Sequence, residues 1–342
     1  MNSKRPILAI AAVLTLAASA FAAHSRSRRW RVEKTWRVGG PGRWDYVTTD
    51  SAHGLVYVTR QTHTLALDAE TGRTIADIPG QQGSHGVALV PSAGRGFITD
   101  GKAGDVVVFD LKTHRVLGRV RTEADSDGIV YDPATGEVLV VSGNGHALIP
   151  LASGVDLKTD AAGEPLDLGG KPEFLAVDGK GRAYVNLVDK DEVAVVDTRA
   201  MKVVARWPTA PGGNPTGLAI DPAGRHLFIG CRKPAEMIVM NADTGKVLAA
   251  LPIGRGVDAT VFDGRTAFAS SGDGTLTAVR EMRPGKFAVV QVLKTLRGAR
   301  TMGVDERLRR IYLPAALFGA KKNARGWPIP RPGTFRVVVV GK

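Results

Sequence analysis

The chain contains little of what many proteins use for cross-linking, cofactor attachment or helix packing. Only one of its 342 residues, Cys231, is a cysteine, which excludes an internal disulfide and a paired-cysteine metal site. No long amphipathic helical pattern occurs, and no later hydrophobic run is long enough to span a bilayer. Aromatic residues make up 6%, but a hydrophobic fraction of 44% still permits a large buried core.

Several familiar catalytic and cofactor-binding motifs are missing as well. The sequence has no Gly-x-Ser-x-Gly elbow, Walker loop or His-Glu-x-x-His pair, the motifs of common hydrolases, nucleotide-binding proteins and zinc enzymes. It also lacks the Cys-x-x-Cys-His motif that attaches haem. Any chemistry must therefore come from side chains that the fold brings together.

The N-terminal segment has the pattern of an export signal. Lys4 and Arg5 form a basic head, residues 7–16 form an apolar run, and Ala20-Phe21-Ala22 forms a small-x-small cleavage site. The alternative is a membrane anchor, but the uncharged run from Ile7 to Ala23 has only 17 residues. We therefore expect residues 1–22 to be removed near Ala22, and residues 23–342 to form one periplasmic or secreted domain.

The net charge of +13 leaves nucleic acid, anionic lipid or an acidic ligand open as partners. The 46 Lys and Arg residues are scattered, however, and no series of stacking aromatic residues accompanies them. Export would also separate the protein from chromosomal DNA. Polyanion or DNA binding is therefore less favoured than a function at a site formed by the fold.

Short strands and turns recur along the chain with a period of 40 to 46 residues. One column of residues ends the first strand of each unit: Asp50, Val90, Asp132, Asp178, Asp221, Asp263 and Asp305. A second column lies in the next strand: Tyr57, Phe97, Val140, Tyr184, Phe228, Phe268 and Tyr312. Seven units of this length predict an all-β, seven-bladed β-propeller. The last unit is one strand short, and residues 31–38 are expected to supply its outer strand.

Three segments resemble the YVTN-type repeat of bacterial YncE-like seven-bladed propellers. They are Leu55–Arg60 (LVYVTR), residues 183–198 with AYVN and VAVVDT, and Pro215–Pro222 (PTGLAIDP). The resemblance implies the propeller fold over nearly all of the exported chain, and the family is often labelled DNA-binding. The resemblance says little about function, because proteins with the propeller fold include ligand-binding proteins, lyases, lactonases and scaffolds.

One position in each unit is expected to face the central channel, five residues before the strand-ending column. These residues are Asp45, His85, Asp127, Glu173, Thr216, Asp258 and Arg300. Carboxylates that converge on a small opening raise one another's pKa unless a cation compensates them. Asp258 and Arg300 are neighbours in this ring and are expected to pair. The other four charged residues are expected to have no basic neighbour in the channel and form a half-ring, which is the best candidate site.

The half-ring allows three interpretations. The first is an exported binding protein that takes a cationic or polyhydroxylated ligand, or one divalent cation held by Asp45, His85, Asp127 and Glu173. The second is a metal-dependent lactonase or lyase in which the three carboxylates are ligands and His85 is the acid/base. The third is a structural network of these residues with water.

The last unit carries a long insertion, residues 318–333, on the same face as the channel mouth. It is expected either to cover the mouth as a lid, with Trp327 as an apolar plug, or to be a surface insertion. Seven further residues are predicted on the rim: Arg60, His63, Asn144, His146, Asn186, Arg232 and Lys233. The expected partner is a small-molecule or protein ligand at this face, and the expected state is a monomer.

Overall fold

The computed structural model describes residues 29–159, 161–323, 326 and 328–342. The predicted signal peptide and Trp327 lie outside the described residues. The described part is all-β, as predicted, with one short 3₁₀ turn at Pro91–Ala93 and no α-helix. No helix in these ranges is long and apolar enough to cross a membrane.

The strands assemble into six large sheets and one hairpin. After β1 (Arg31–Arg37), a seven-stranded sheet contains β2 (Val47–Asp50), β3 (Leu55–Thr59), β4 (Gln61–Asp68), β5 (Thr74–Val90), β6 (Arg95–Asp100), β7 (Asp105–Asp110) and β8 (Val116–Arg121). The next sheet contains β9 (Ser126–Asp132), β10 (Glu137–Ser142), β11 (Ala147–Ala152) and β12 (Leu166–Asp167). It is followed by β13 (Pro172–Val177), β14 (Arg182–Leu187), β15 (Glu192–Asp197) and β16 (Lys202–Pro208).

Three further sheets complete the chain. One contains β17 (Pro215–Asp221), β18 (His226–Arg232), β19 (Ala235–Asn241) and β20 (Val247–Pro252). Another contains β21 (Val257–Phe262), β22 (Ala267–Ser271), β23 (Thr275–Arg283) and β24 (Lys286–Lys294). The last contains β25 (Gly303–Asp305), β26 (Arg310–Ala315) and β29 (Arg336–Gly341), with β1 outermost, while β27 (Phe318–Lys322) and β28 (Pro328–Pro330) form the hairpin.

The prediction of a seven-bladed propeller is wrong. The described residues form five separate four-stranded blades, and the first two sequence repeats share a single seven-stranded sheet. The reason is β5, which runs unbroken for 17 residues, pairing with β4 through its first half and with β6 through its second half. A repeat in the sequence counts strands and turns, but it does not show whether the hydrogen-bonded ladder between two repeats is interrupted.

The innermost strands surround a central channel. In order around the ring, β2, the second half of β5, β9, β13, β17, β21 and β25 each contact the next, and β25 contacts β2. The outer edge of the last sheet is covered by β1, which pairs antiparallel with β29 from Arg31 to Arg37. This pairing joins the two ends of the described chain, as the missing strand of the last unit predicted, and covers the edge of β29.

The two sequence columns have the structural roles that their residue types favour. The strand-ending aspartates accept backbone N–H bonds in turns, as Asp221 Oδ1 does from Ala223 and Gly224 at 3.1 and 2.9 Å. The second column, which we call the aromatic column because every member except Val140 is aromatic, is buried between sheets. Within it, the hydroxyl of Tyr184 donates to the Ala242 carbonyl of the neighbouring sheet at 2.7 Å. The first kind of contact closes the turn after an inner strand, and the second joins neighbouring sheets.

Candidate functional site

The structure brings five of the predicted channel residues into one cavity of about 310 Å³. They are Asp45, Asp127, Glu173, Asp258 and Arg300. His85 does not line the cavity itself but contacts Asp45 and Asp127, which do. Thr216, in contrast, is fully buried and donates its hydroxyl to the Asn214 carbonyl at 3.2 Å. The spacing rule therefore located the channel-facing position in six of the seven units.

The backbone of the channel residues is anchored by buried hydroxyl and amide side chains, a role that sequence reasoning missed. One of them, Asn186, is fully buried rather than on the rim as predicted. Thr59 donates to the His85 carbonyl at 2.7 Å, and Thr99 donates to the Asp127 carbonyl at 2.6 Å. The same kind of bond links Asn186 to Thr216, Ser270 to Arg300 and Thr301 to Asp45. Four of these five donors lie two residues after the aromatic column, a pattern that could have predicted them.

Asp45, His85 and Asp127 form a compact cluster. Nδ1 of His85 is 2.7 Å from Oδ2 of Asp45 and 3.5 Å from Oδ1 of Asp127. The other edge of the imidazole lies against Gly101, where a Cβ atom would be 2.8 Å from the Ser126 carbonyl oxygen and 3.2 Å from the ring. Glycine is required there to seat the ring with Nδ1 towards the carboxylates.

The imidazole is held in its charged form. Burial lowers its pKa, but the hydrogen bond to Asp45 and the charges of Asp127, Asp45 and Asp125 outweigh burial and raise the pKa to about 9. The compensating positive charge that the carboxylates need is therefore supplied in part by His85 itself.

Asp127 and Glu173 are two carboxyl groups of the cavity whose pKa is raised chiefly by burial. Oδ1 of Asp127 is buried without a hydrogen-bond partner in the described residues. Burial raises the pKa of Asp127, and the charge of His85 opposes this only in part. Burial and the charge of Asp258 raise the pKa of Glu173 to about 7, against the opposing charge of Arg232.

Asp258 forms the opposite wall of the cavity together with two arginines. Nε of Arg300 lies 2.9 Å from Oδ2 of Asp258, which confirms the predicted pair. Arg232 also donates to Asp258 and lines the cavity. The prediction that Glu173 has no basic neighbour is therefore wrong, because the side chain of Arg232 extends from the end of β18 into the channel.

Two aromatic rings contact each other across the channel. Tyr46 and Phe174, which follow Asp45 and Glu173 in sequence, have ring centroids 4.5 Å apart, and both line the cavity. They come from inner strands that are not neighbours in the ring. The carboxylates therefore surround a cavity with an apolar wall rather than an open polar pore. Sequence reasoning missed this pair: both residues directly follow a channel position, but the repeat does not show which of the equivalent positions meet across the ring.

Arg60 is not on the rim as predicted but fully buried. Its guanidinium donates to the carbonyl oxygens of the 39–43 loop, including Gly39 at 3.2 Å and Arg43 at 3.0 Å, and lies 3.6 Å from the Phe335 ring centroid. It therefore fixes the loop that leads from β1 into the channel. His63 and His146 are not among the residues that line the cavity.

The insertion at 318–333 forms the hairpin of β27 and β28. Its first residue, Phe318, contacts Trp44 with ring centroids 6.2 Å apart, so the hairpin lies beside the channel mouth. The prediction that Trp327 acts as a plug falls on a residue outside the described part of the chain.

Comparisons with known proteins bear on the fold alone. No protein-family model matches the chain, and no curated protein matches it. Among solved structures, the chain is similar to Kuenenia stuttgartiensis hydrazine synthase, with a TM-score of 0.67 and 13% identity, over 78% of this chain and 91% of that chain. This likeness shows a β-propeller and carries no information about the activity of this chain.

Proposed function

We propose that the protein is an exported, YncE-like propeller that binds a small ligand rich in hydrogen-bond donors in the channel cavity. The observation that carries the proposal is the convergence of Asp45, Asp127, Glu173 and Asp258 on one cavity in which Oδ1 of Asp127, although 3.5 Å from the charged His85 ring, accepts no hydrogen bond from the described residues. A buried carboxylate oxygen without a donor is costly, and a ligand donor would satisfy it.

The ligand class follows from the groups that face the cavity. Carboxylates accept hydrogen bonds from ammonium or hydroxyl groups, and the Tyr46 and Phe174 rings offer an apolar face to the rest of the ligand. The volume of about 310 Å³ is at the lower end of the range for ligand pockets. The cavity is thus suited to one small amine or polyol.

Isothermal titration calorimetry with butane-1,4-diamine, choline and glucose tests this proposal. We expect one of these probes to bind, and Asp127→Asn and Glu173→Gln each to weaken its binding roughly tenfold or more. Glu306→Gln, an exposed carboxylate on another surface, is the matched control and should leave binding unchanged. Absence of binding by all three probes, or unfolding of both channel variants, would instead indicate a structural network.

Export is the second part of the proposal and rests on the N-terminal pattern around Lys4, Arg5 and Ala22. Expression of the full chain followed by fractionation should place it outside the cytoplasm, with a new N-terminus near residue 23. A cytoplasmic protein that retains residues 1–22 would contradict this part and leave the ligand site unaffected.

A metal-dependent enzyme is the second candidate, favoured by one observation. Donor atoms of Asp45, His85 and Asp127 lie within 4.8 Å of one another, and carboxylate oxygen with imidazole nitrogen suits a divalent cation. These three residues would hold the ion, and Glu173 lines the same cavity. A bound cation would supply Lewis-acid activation of water or a carbonyl.

The fit to a metal has a specific cost. A cation must displace the hydrogen bond between His85 and Asp45, which already balances charge in the cluster. Elemental analysis of protein purified without chelator should show about one equivalent of metal if the enzyme interpretation holds. No metal, with a melting temperature unchanged by added Mn²⁺ or Zn²⁺, would contradict it.

A further inference from the structure

A second cavity lies beside the channel cavity and has the opposite electrostatic character. It has a volume of about 270 Å³, and Arg300 is the one described residue that lines both cavities. Its charged lining consists of Arg43, Arg297 and Arg300, and none of its described lining residues is acidic. The carboxylate partner of Arg300 is Asp258, which lines the channel cavity and not this one.

The side chains of Arg43 and Arg297 have no hydrogen bond or ion pair within the part of the chain that the structure describes. They project from two separate loops, one after β1 and one after β24, that the fold brings together. Arginines that line one cavity without an acidic lining residue favour an anion, and the planar donors of a guanidinium match a carboxylate in two-point contact.

The rest of the lining is flat and apolar. Trp44 and Phe318 are inclined at 46° with centroids 6.2 Å apart, and Pro328 and Pro330 of the hairpin also line the cavity. The loop at Gly298 is shaped to admit the Phe318 ring, since a Cβ there would lie 2.5 Å from Cε2 of Phe318 and φ is +84°. Aromatic faces of this kind bind a planar ring.

The size of the cavity limits the ligand. A volume of about 270 Å³ falls below the roughly 300–1,000 Å³ that is usual for drug-sized ligands, so there is space for one ring. A polymer such as nucleic acid would need a continuous basic groove with stacking platforms instead.

We propose that this cavity binds a single-ring aromatic carboxylate, with the carboxylate on Arg43 and Arg297 and the ring against Trp44 and Phe318. The site is distinct from the proposed channel ligand and does not depend on it.

Calorimetric titration of the full chain with benzoate tests the proposal. We expect benzoate to bind, whereas benzamide, which lacks the charge, and cyclohexanecarboxylate, which lacks the aromatic ring, should bind roughly tenfold more weakly. Arg43→Gln and Arg297→Gln should each weaken benzoate binding by about tenfold or more. Arg265→Gln, an exposed arginine elsewhere, is the matched control and should not change it.

The variants also separate this site from the channel site. Asp127→Asn should leave benzoate binding unchanged, because Asp127 does not line the second cavity. Arg297 is exposed, so Arg297→Gln should retain the wild-type melting temperature and keep the test valid. The proposal is overturned if benzoate and benzamide bind equally, if benzoate does not bind at millimolar concentration, or if both arginine variants bind it normally. Binding of a DNA oligonucleotide with no response to benzoate would also overturn it.

Discussion

Nδ1 of His85 donates to Oδ2 of Asp45 at 2.7 Å, and the two residues belong to the two sequence repeats that share one sheet. Asp45 lies two residues before the start of β2, and His85 lies in the second half of β5. Because β5 is continuous, the spacing of these residues is fixed within one hydrogen-bonded sheet rather than across two independent blades. This pair of the candidate site is thus held by the part of the fold that departs from the repeat.

This pair makes the stability of the protein depend on pH. The pKa of His85 is about 9 in the folded state and ordinarily 6.5, so protonation favours folding. The stabilisation is complete below pH 6.5 and is lost as pH rises through about 9. We expect the free energy of unfolding to fall by about 2 kcal/mol from about pH 7.5 to about pH 9.5.

Urea unfolding at the two pH values measures this loss. Glu173 does not obscure it, because its raised pKa of about 7 makes the stability fall with pH mainly between pH 4.5 and 7 and adds little further change above pH 7.5. His85→Asn should remove most of the loss above pH 7.5, and His146→Asn should retain it, since His146 is exposed. Equal pH dependence in wild type and His85→Asn would show that the imidazole is not held charged.

Replacement of Arg60 should destabilise the whole domain. Arg60→Met keeps much of the side-chain volume but leaves the buried carbonyl oxygens of the 39–43 loop without their donor. We expect a loss of about 3 kcal/mol in the free energy of unfolding, measured by urea denaturation. Arg265→Gln is the control for loss of a surface arginine. An unchanged midpoint for Arg60→Met would mean that water replaces the guanidinium at no cost.

Thr99 should act as a positioning residue for Asp127. Its hydroxyl accepts from the Gly86 N–H at 2.8 Å and donates to the Asp127 carbonyl at 2.6 Å. Thr99→Val removes both bonds and should cost about 1–2 kcal/mol of stability, and it should also weaken binding of the channel probe. Thr99→Ser keeps the hydroxyl and should restore probe affinity. If the Thr99→Val and Thr99→Ser variants bind the probe equally, the two hydrogen bonds of the Thr99 hydroxyl only stabilise the fold.

The outer strand β1 should contribute strongly to stability although it lies outside the repeats. Trp36 is 7% exposed and stacks on Tyr312 of β26, with ring centroids 5.4 Å apart. Trp36→Ala should lower the free energy of unfolding by about 3 kcal/mol or more through the cavity that it leaves, and Trp36→Phe by clearly less. Thermal unfolding checks both. Similar melting temperatures for the Trp36→Ala variant and the wild type would mean that the packing of β1 on the last sheet does not contribute to stability.

Much of the channel could be predicted from the sequence, because the position five residues before a strand-ending turn is set by local geometry. This rule located Asp45, Asp127 and Glu173 in one cavity without any structural information. It did not locate Arg232, which arises at the end of a second strand and enters the channel only through the length of its side chain. It also offered no reason to expect Tyr46 against Phe174, whose contact depends on the diameter of the ring.

By itself, the sequence determined the strands, the turns and the face that each side chain occupies, since side chains alternate along a strand and turns need particular residues. It also determined that the last sheet would be completed by the N-terminal strand. Only the tertiary structure decided that the first two repeats share one sheet through β5, that Arg60 is buried, and that a cavity with only basic charged residues lies beside the acid-rich channel cavity, with Arg300 lining both. These features depend on how hydrogen-bonded ladders continue between units and on which side chains meet across the ring, and neither is encoded in the spacing of residues along the chain.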